Sequence, residues 1–485
     1  MAREVSPLKG AADKHQRSTS SAHPPIRPSS ATHPVTAWCC VGSMLAAVTL
    51  LNFWRPFERT AYLGLIVIGA AALGAFLPDV LWEKIFRRSL LSVPSPANWA
   101  RTLTKCIGLG GTVAAIAALY WTLPEYYQGD QFYGEYWAAL KVVLPAWAVL
   151  SVPYIYWVDR RMAHPQDALW QAGRLLLGQW HGLDPRVLWQ YALGWFVKAF
   201  FLPLMFTYFC QALDRLLHYP VAQLQTFHGF YDWAFFALYF IDVALVSMTY
   251  AMSLRATDTH IRSTEPTAFG WLVALVCYQP FWSLIGRQYL DYDTGPPWGA
   301  RFAAIPWLYT LWGCVILGLV AVYAWATIAF GARFSNLTHR GIITGGPYRF
   351  TKHPAYLAKN LSWWLISVPF VVDGDFSQTL RRCSLLLLLN GIYYLRAKTE
   401  ERHLALDPVY VQYACWIEQH GVLRFLNRPP VVGTLAKWRP VFAAYVSPYP
   451  FSESSPAPAL AKPQGTRAHG ADGARTRTGR RRSSC

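Results

Sequence analysis

Uninterrupted apolar runs restrict what this chain can fold into before any motif is considered. AYLGLIVIGAAALGAFLPDVLW (61–82) and AAIPWLYTLWGCVILGLVAVYAWATIAF (303–330) are each long enough to cross a bilayer, which takes about 20 apolar residues. The rest of the chain agrees: only 14% of its residues are charged, against about 25% in a soluble globular protein. The fold class is therefore all-α, a polytopic helical membrane protein. Hydropathy places about ten spans, near 36–54, 61–82, 106–122, 137–157, 189–213, 232–254, 268–286, 303–330, 355–373 and 381–395. DALWQAGRLLLGQWHGL (167–183) is too short and too charged to span, and is expected along the interface.

Loop charge sets the expected orientation. With the N-terminus inside, the inward segments before the last pair of spans are several-fold richer in Lys and Arg than the outward loops up to residue 303. Both termini are then expected on the cytoplasmic side. The same asymmetry explains most of the net charge of +18, so no nucleic-acid partner is inferred from it. Residues 1–35 and 431–485 lack apolar periodicity and are expected to be disordered tails, the second ending in the basic run RTRTGRRR. The nine cysteines contain no C-x-x-C pair and no metal-ligand spacing, and no metal site is expected.

Chemistry concentrates in two polar segments near the C-terminus. GIITGGPYRFTKHPAYL (341–357) places a Gly-Gly-Pro turn, two tyrosines, cations and His353 between two spans. The glycines let backbone approach a ligand, the tyrosines offer faces for stacking on a heteroaromatic ring, and Pro354 is suited to open a helix. Amides at that helix start, with His353, would suit a carboxylate or phosphate. The second segment, LRAKTEERHLALDPVYVQY (395–413), follows the last span. There Arg396, Glu400 and Glu401 lie at i, i+4 and i+5 on a helix, where a carboxylate pair would suit ribose hydroxyls or a cationic centre. A plain Arg396–Glu400 intrahelical pair, worth about 0.2–0.5 kcal/mol, is the simpler alternative. The last two spans bring both segments to one membrane face as a hairpin.

TGGPYRFTKHPAYLAKNLSWW, the hairpin, and RAKTEERHLALDPVYVQY together resemble the isoprenylcysteine carboxyl methyltransferase family, within a wider group of membrane methyltransferases that includes the phospholipid N-methyltransferases. The resemblance covers about residues 336–426. It implies S-adenosyl-L-methionine as cofactor, held under the cytoplasmic ends of the last helices. It implies cofactor contacts from Arg340, Gly341, Ile342, Ile343, Tyr348, His353, Pro354, Ala355, Tyr356 and Glu400, with Arg396, Glu400 and Glu401 at the reacting centre. The acceptor implied is a lipid or lipid-modified molecule entering from the bilayer, with a carboxylate or an amine as nucleophile. The chain departs from the family pattern at Arg340 (often His, here with His339 beside it), Lys352 (usually Arg), Ala358 (usually Gly) and Leu406-Asp407 (usually Phe-Gly).

Two other classes share part of this pattern. A membrane reductase of the sterol reductase type, using NADPH, has a similar terminal hairpin but carries Arg-His-x-Asn-Tyr and Arg-Asp-Glu where this chain has KHPAY and TEE. A non-catalytic membrane module or transporter is the other. On these grounds residues 303–430 form the expected methyltransferase-like domain and 36–302 a multi-span extension. Within that extension the ionisable Lys141, Lys198 and Asp242 lie at membrane depth. The short loops favour a bacterial cytoplasmic membrane, with the endoplasmic reticulum as the alternative.

Overall fold

The computed structural model describes residues 26–81, 94–127, 130–372, 374–422 and 424. In chain order its main helices are α1 (Pro34–Phe53), α2 (Thr60–Leu81), α3 (Trp99–Thr122), α4 (Asp130–Asp159), α5 (Ala168–Leu176), α6 (Pro185–Leu217), α7 (Phe227–Ala251), α8 (Ala268–Leu275), α9 (Pro306–Phe330), α10 (Pro354–Ser367), α11 (Phe376–Leu404) and α12 (Pro408–His420). Among the described residues seven of these, α1 to α4, α6, α7 and α9, are long and apolar enough to cross a membrane. The protein is an all-α, multi-pass chain.

Three of the ten expected spans do not meet that standard, each for its own reason. The span expected at 268–286 is interrupted: α8 ends at Leu275, and the chain turns before a π-helical turn at Trp282–Gly286. Pro280 lies in that turn and has no backbone N–H to continue a ladder. The span expected at 355–373 is α10, whose 14 residues extend about 21 Å, short of a hydrocarbon core of about 30 Å. The span expected at 381–395 is the middle of α11, a single helix of 29 residues that carries Arg381 and Arg382 near its start and the Arg396–His403 run at its end. Broken or polar helices persist at membrane depth where other protein covers them.

Small residues let the bundle close. Gly64 of α2 faces the ring of Phe209 on α6, and Gly108 of α3 meets the backbone of α5 at Leu169 and Gly173, the close approach that glycine permits between membrane helices. α5 is therefore clamped to α3, in the region expected to lie along the interface. Beside it Lys105 and Arg101 of α3 reach Asp159 of α4 at 2.9 and 2.7 Å, and Lys105 reaches Asp167 at 3.2 Å. The main core, with Met44, Leu51, Val67, Phe209, Phe240 and Met248 buried, lies among α1, α2, α6 and α7.

One end of the bundle carries the segments that position the site. A two-residue pair of strands, β1 (Ser263–Thr264) and β2 (Thr338–His339), joins the loop after α7 to the loop after α9, with Ser263 opposite His339. Residues 26–33, expected to belong to a disordered tail, lie as a strap along the latter loop. Ala31 N–H donates to Ile342 O at 2.9 Å, Thr344 Oγ1 to Pro28 O at 2.8 Å and Thr32 Oγ1 to Phe330 O at 2.8 Å. Pro34 and Val35 of that expected tail open α1, and residues 1–25 and all of 431–485 lie outside the described residues.

Candidate functional site

α10 and α11 run antiparallel. The contacts pair the start of α10 with the end of α11 and its middle with Asn390, which accepts from Trp364 Nε1 at 2.7 Å and donates to Asn360 at 2.7 Å. On α10, Tyr356, Lys359 and Trp363 share a face at i, i+3 and i+7; on α11, Tyr393, Arg396 and Glu400 do the same. These faces meet: Tyr356 and Tyr393 pack edge to face at 5.5 Å, and Trp363 packs on Tyr393 at 5.2 Å. Above them the loop after α9 turns back through Gly341 (φ 118°) and Gly346 (φ 56°), backbone angles that favour glycine.

Between these elements lies a cavity of about 160 Å³. Its walls include Arg340, Gly341, Ile342, Ile343, Tyr348, His353, Ala355, Tyr356, Arg396 and Glu400. Most of the residues singled out in sequence are thus brought to one place from two segments and two helices. Pro354 is not on the wall; it is buried as the first residue of α10.

Glu401 is turned away. Successive residues on a helix point about 100° apart, so Glu400 and Glu401 cannot both face the cavity. Glu401 instead lines a more open depression of about 400 Å³ on another side of α11. There Oε1 lies 3.1 Å from His353 Nε2 and 3.3 Å from Lys352 Nζ, and Oε2 lies 3.0 Å from Lys398 Nζ. Burial alone would raise its carboxyl, but the His353 hydrogen bond and the charges of His353, Lys352 and Lys398 outweigh it and hold the group well below the carboxylate range. Glu401, expected at the reacting centre, is thus outside this cavity wall and is paired with Lys352, His353 and Lys398.

Glu400 is more open, with 28% of its side chain exposed. Its Oε1 accepts from the Tyr356 hydroxyl and lies 3.4 Å from Arg396 Nε. The His353 ring stacks on Tyr356, its Nδ1 3.9 Å from Glu400 Oε2, so one histidine links both carboxylates. Arg396 is buried and tethered: its Nη2 donates to Asn336 Oδ1 at 2.5 Å and to Tyr278 at 3.3 Å.

Arg340, expected to contact the cofactor, is held by backbone. Its Nε donates to Thr259 O at 2.6 Å, and its Nη1 to Phe334 O at 2.8 Å and Thr249 O at 3.0 Å. Thr249 lies in the last turn of α7, where free carbonyls favour a cation. Next to it, Arg333 bridges Asp258 at 3.1 Å and the carbonyl of Arg340 at 2.9 Å. His403 also reaches the cavity wall; burial, reinforced by His339 and Arg402, pushes its imidazole down to about 3, and its Nε2 lies 2.8 Å from Ser263 Oγ.

Tyr278, Tyr323, Asn336, Lys359 and Tyr393 line the cavity as well, and none of them belongs to the residues expected from the motifs. Tyr278 and Tyr323 come from other parts of the chain, with no local pattern to mark them. Lys359 had a signal: it follows Tyr356 by three positions inside an apolar run.

No protein-family model matches the chain. No curated protein and no solved structure matches it either. The functional reading therefore rests on the motif order and the geometry of this cavity.

Proposed function

We propose that this protein is an integral-membrane S-adenosyl-L-methionine-dependent methyltransferase acting on a lipid or lipid-modified acceptor. What chiefly supports this is the convergence of the glycine-rich loop 341–346, Tyr356 and the Arg396–Glu400 pair around one cavity at an end of an apolar bundle. The donor set fits the cofactor. Glu400 already accepts a hydroxyl from Tyr356 and is suited to a ribose diol. Tyr348 offers an aromatic face for a flat ring, beside Gly341 and Ile342 on the same wall. The cations at this end suit a methionine carboxylate.

When bound, S-adenosyl-L-methionine supplies a methyl group already activated on a sulfonium. The work left to the chain is alignment and exclusion of water. Arg396, held by Asn336 and Tyr278, gives a fixed positive edge to the cavity. Glu400 is the one cavity-facing carboxylate of the pair, so it is the group available to take a proton from an amine acceptor. A carboxylate acceptor needs no such base.

The test is equilibrium binding of S-adenosyl-L-methionine to the full-length protein in detergent, beside Glu400→Gln and with NADPH as competitor. Saturable binding that is weakened at least tenfold in Glu400→Gln and indifferent to NADPH is expected. Absence of binding by folded protein, or displacement by NADPH, refutes the assignment.

A further inference from the structure

Residues 26–33 cross a seam in the wall of this cavity. On one side of the seam is the loop 341–346, whose Gly341, Ile342 and Ile343 line the cavity; on the other is α12, which supplies Tyr410 and Tyr413. The strap holds both sides. Ala31 N–H donates to Ile342 O at 2.9 Å, and Thr344 donates its amide to Ser30 Oγ at 3.3 Å and its hydroxyl to Pro28 O at 2.8 Å. On α12, Gln412 Nε2 donates to Ile26 O at 3.3 Å, and the Arg27 guanidinium lies 5.6 Å from the Trp416 ring centroid.

The two sides differ in freedom. Much of the cavity wall is helix, on α9, α10 and α11, and a helix cannot swing without breaking its own packing. The loop can: Gly341 and Gly346 bound it at φ 118° and 56°, and glycine turns through such angles at little steric cost. The strap is just as releasable. Ile26, Arg27 and Ser29 are exposed, and of residues 26–33 only Thr32 is buried, where it anchors the strap to Phe330 O beside the start of α1. Residues 26–31 are therefore held by polar contacts that water can replace more than by apolar burial. Such contacts open locally while the bundle stays folded.

We propose that residues 26–31 are a latch on the cavity. Docked, they hold the loop 342–345 against α12 and keep a ligand in; lifted, they let that loop swing out between its glycines, so that the ligand exchanges with water. The latch depends on the methyltransferase reading only for the choice of S-adenosyl-L-methionine as one of its two reporters.

The experiment locks the latch. A Cβ at Gly345, whose φ of −89° suits any residue, would lie 3.7 Å from Ser30 Cβ, within the range of about 3.5–4.5 Å found in disulfides. Ser30→Cys with Gly345→Cys is oxidised in the full-length protein in nanodiscs, and the link between positions 30 and 345 is verified by peptide mass. Two rates are read: labelling of Thr399→Cys, on the cavity wall, by a charged, water-soluble methanethiosulfonate, and exchange of S-adenosyl-L-methionine. Both are expected to fall at least tenfold in the cross-linked protein relative to Ser30→Cys alone, and S-adenosyl-L-methionine exchange to recover on reduction. Ala31→Pro removes the N–H that reaches Ile342 and acts from the strap alone; it is expected to speed labelling and S-adenosyl-L-methionine dissociation at least fivefold. Equal labelling of cross-linked and control proteins, or an Ala31→Pro protein that labels like wild type, overturns the inference, and so does failure of the pair to cross-link in folded protein. Slowed labelling in a protein that binds no S-adenosyl-L-methionine keeps the latch and removes the methyltransferase reading.

Discussion

Removing the charge of Glu401 while keeping its shape, in Glu401→Gln, tests whether the two adjacent glutamates have separate roles. Glu401 is 3% exposed and has two lysines and a histidine within 3.3 Å. Removing one partner of a buried ion pair costs about 3–5 kcal/mol, because the remaining charge stays buried and uncompensated. Lys398 is 40% exposed and can turn to water, so the loss falls toward the lower end, about 3 kcal/mol. Glu400→Gln keeps a neutral acceptor for Tyr356 at a more open position and costs about 1 kcal/mol, the net value of one hydrogen bond. The assay is unfolding by SDS titration in mixed micelles, followed by tryptophan fluorescence.

The pH dependence carries the same sign. The folded Glu401 carboxyl lies below its ordinary value of 4.5, so the unfolded chain binds the proton more readily. Its stabilisation is complete above pH 4.5 and is lost as pH falls below it; Glu401→Gln lacks that component. A Glu401→Gln protein within 1 kcal/mol of wild type, the range of exposed pairs, with an unchanged acid limb would refute the reasoning.

Other outcomes follow from single contacts. Gly173→Val places a side chain against the Thr104 carbonyl and should cost about 1–3 kcal/mol, read in the same titration as loosening of α5 from α3. Arg340→Met strands carbonyls of Thr249, Thr259 and Phe334 and should lower stability by about 3 kcal/mol or more. Lys at that position should not restore it, because an ammonium cannot reproduce the planar fork. Gly341→Ala sets a Cβ 2.8 Å from the Ala31 Cβ at a φ of 118°. It should release the 26–33 strap, seen as faster hydrogen exchange at Ala31, and weaken S-adenosyl-L-methionine binding.

The bilayer-crossing character of this chain follows from its sequence because hydropathy is a local quantity: twenty apolar residues must find an apolar environment whatever their neighbours do. The Gly-rich turn, Pro354 at a helix start and the i, i+4 placement of Arg396 and Glu400 are likewise local, and so they too were legible. Even the divergence of Glu400 and Glu401 follows from helical pitch, although which of the two faces the cavity does not. That choice depends on how α11 is rotated against α10, and packing over the whole bundle sets the rotation. The docking of residues 26–33 on the cavity loop and the use of Arg340 as a clamp on three carbonyls were decided by tertiary structure alone. So was the presence of Tyr278, Tyr323 and Lys359 around one space. Each of these joins groups far apart in the chain, and a charged or hydroxyl side chain carries no mark in its own neighbourhood of the partner that folding will bring to it.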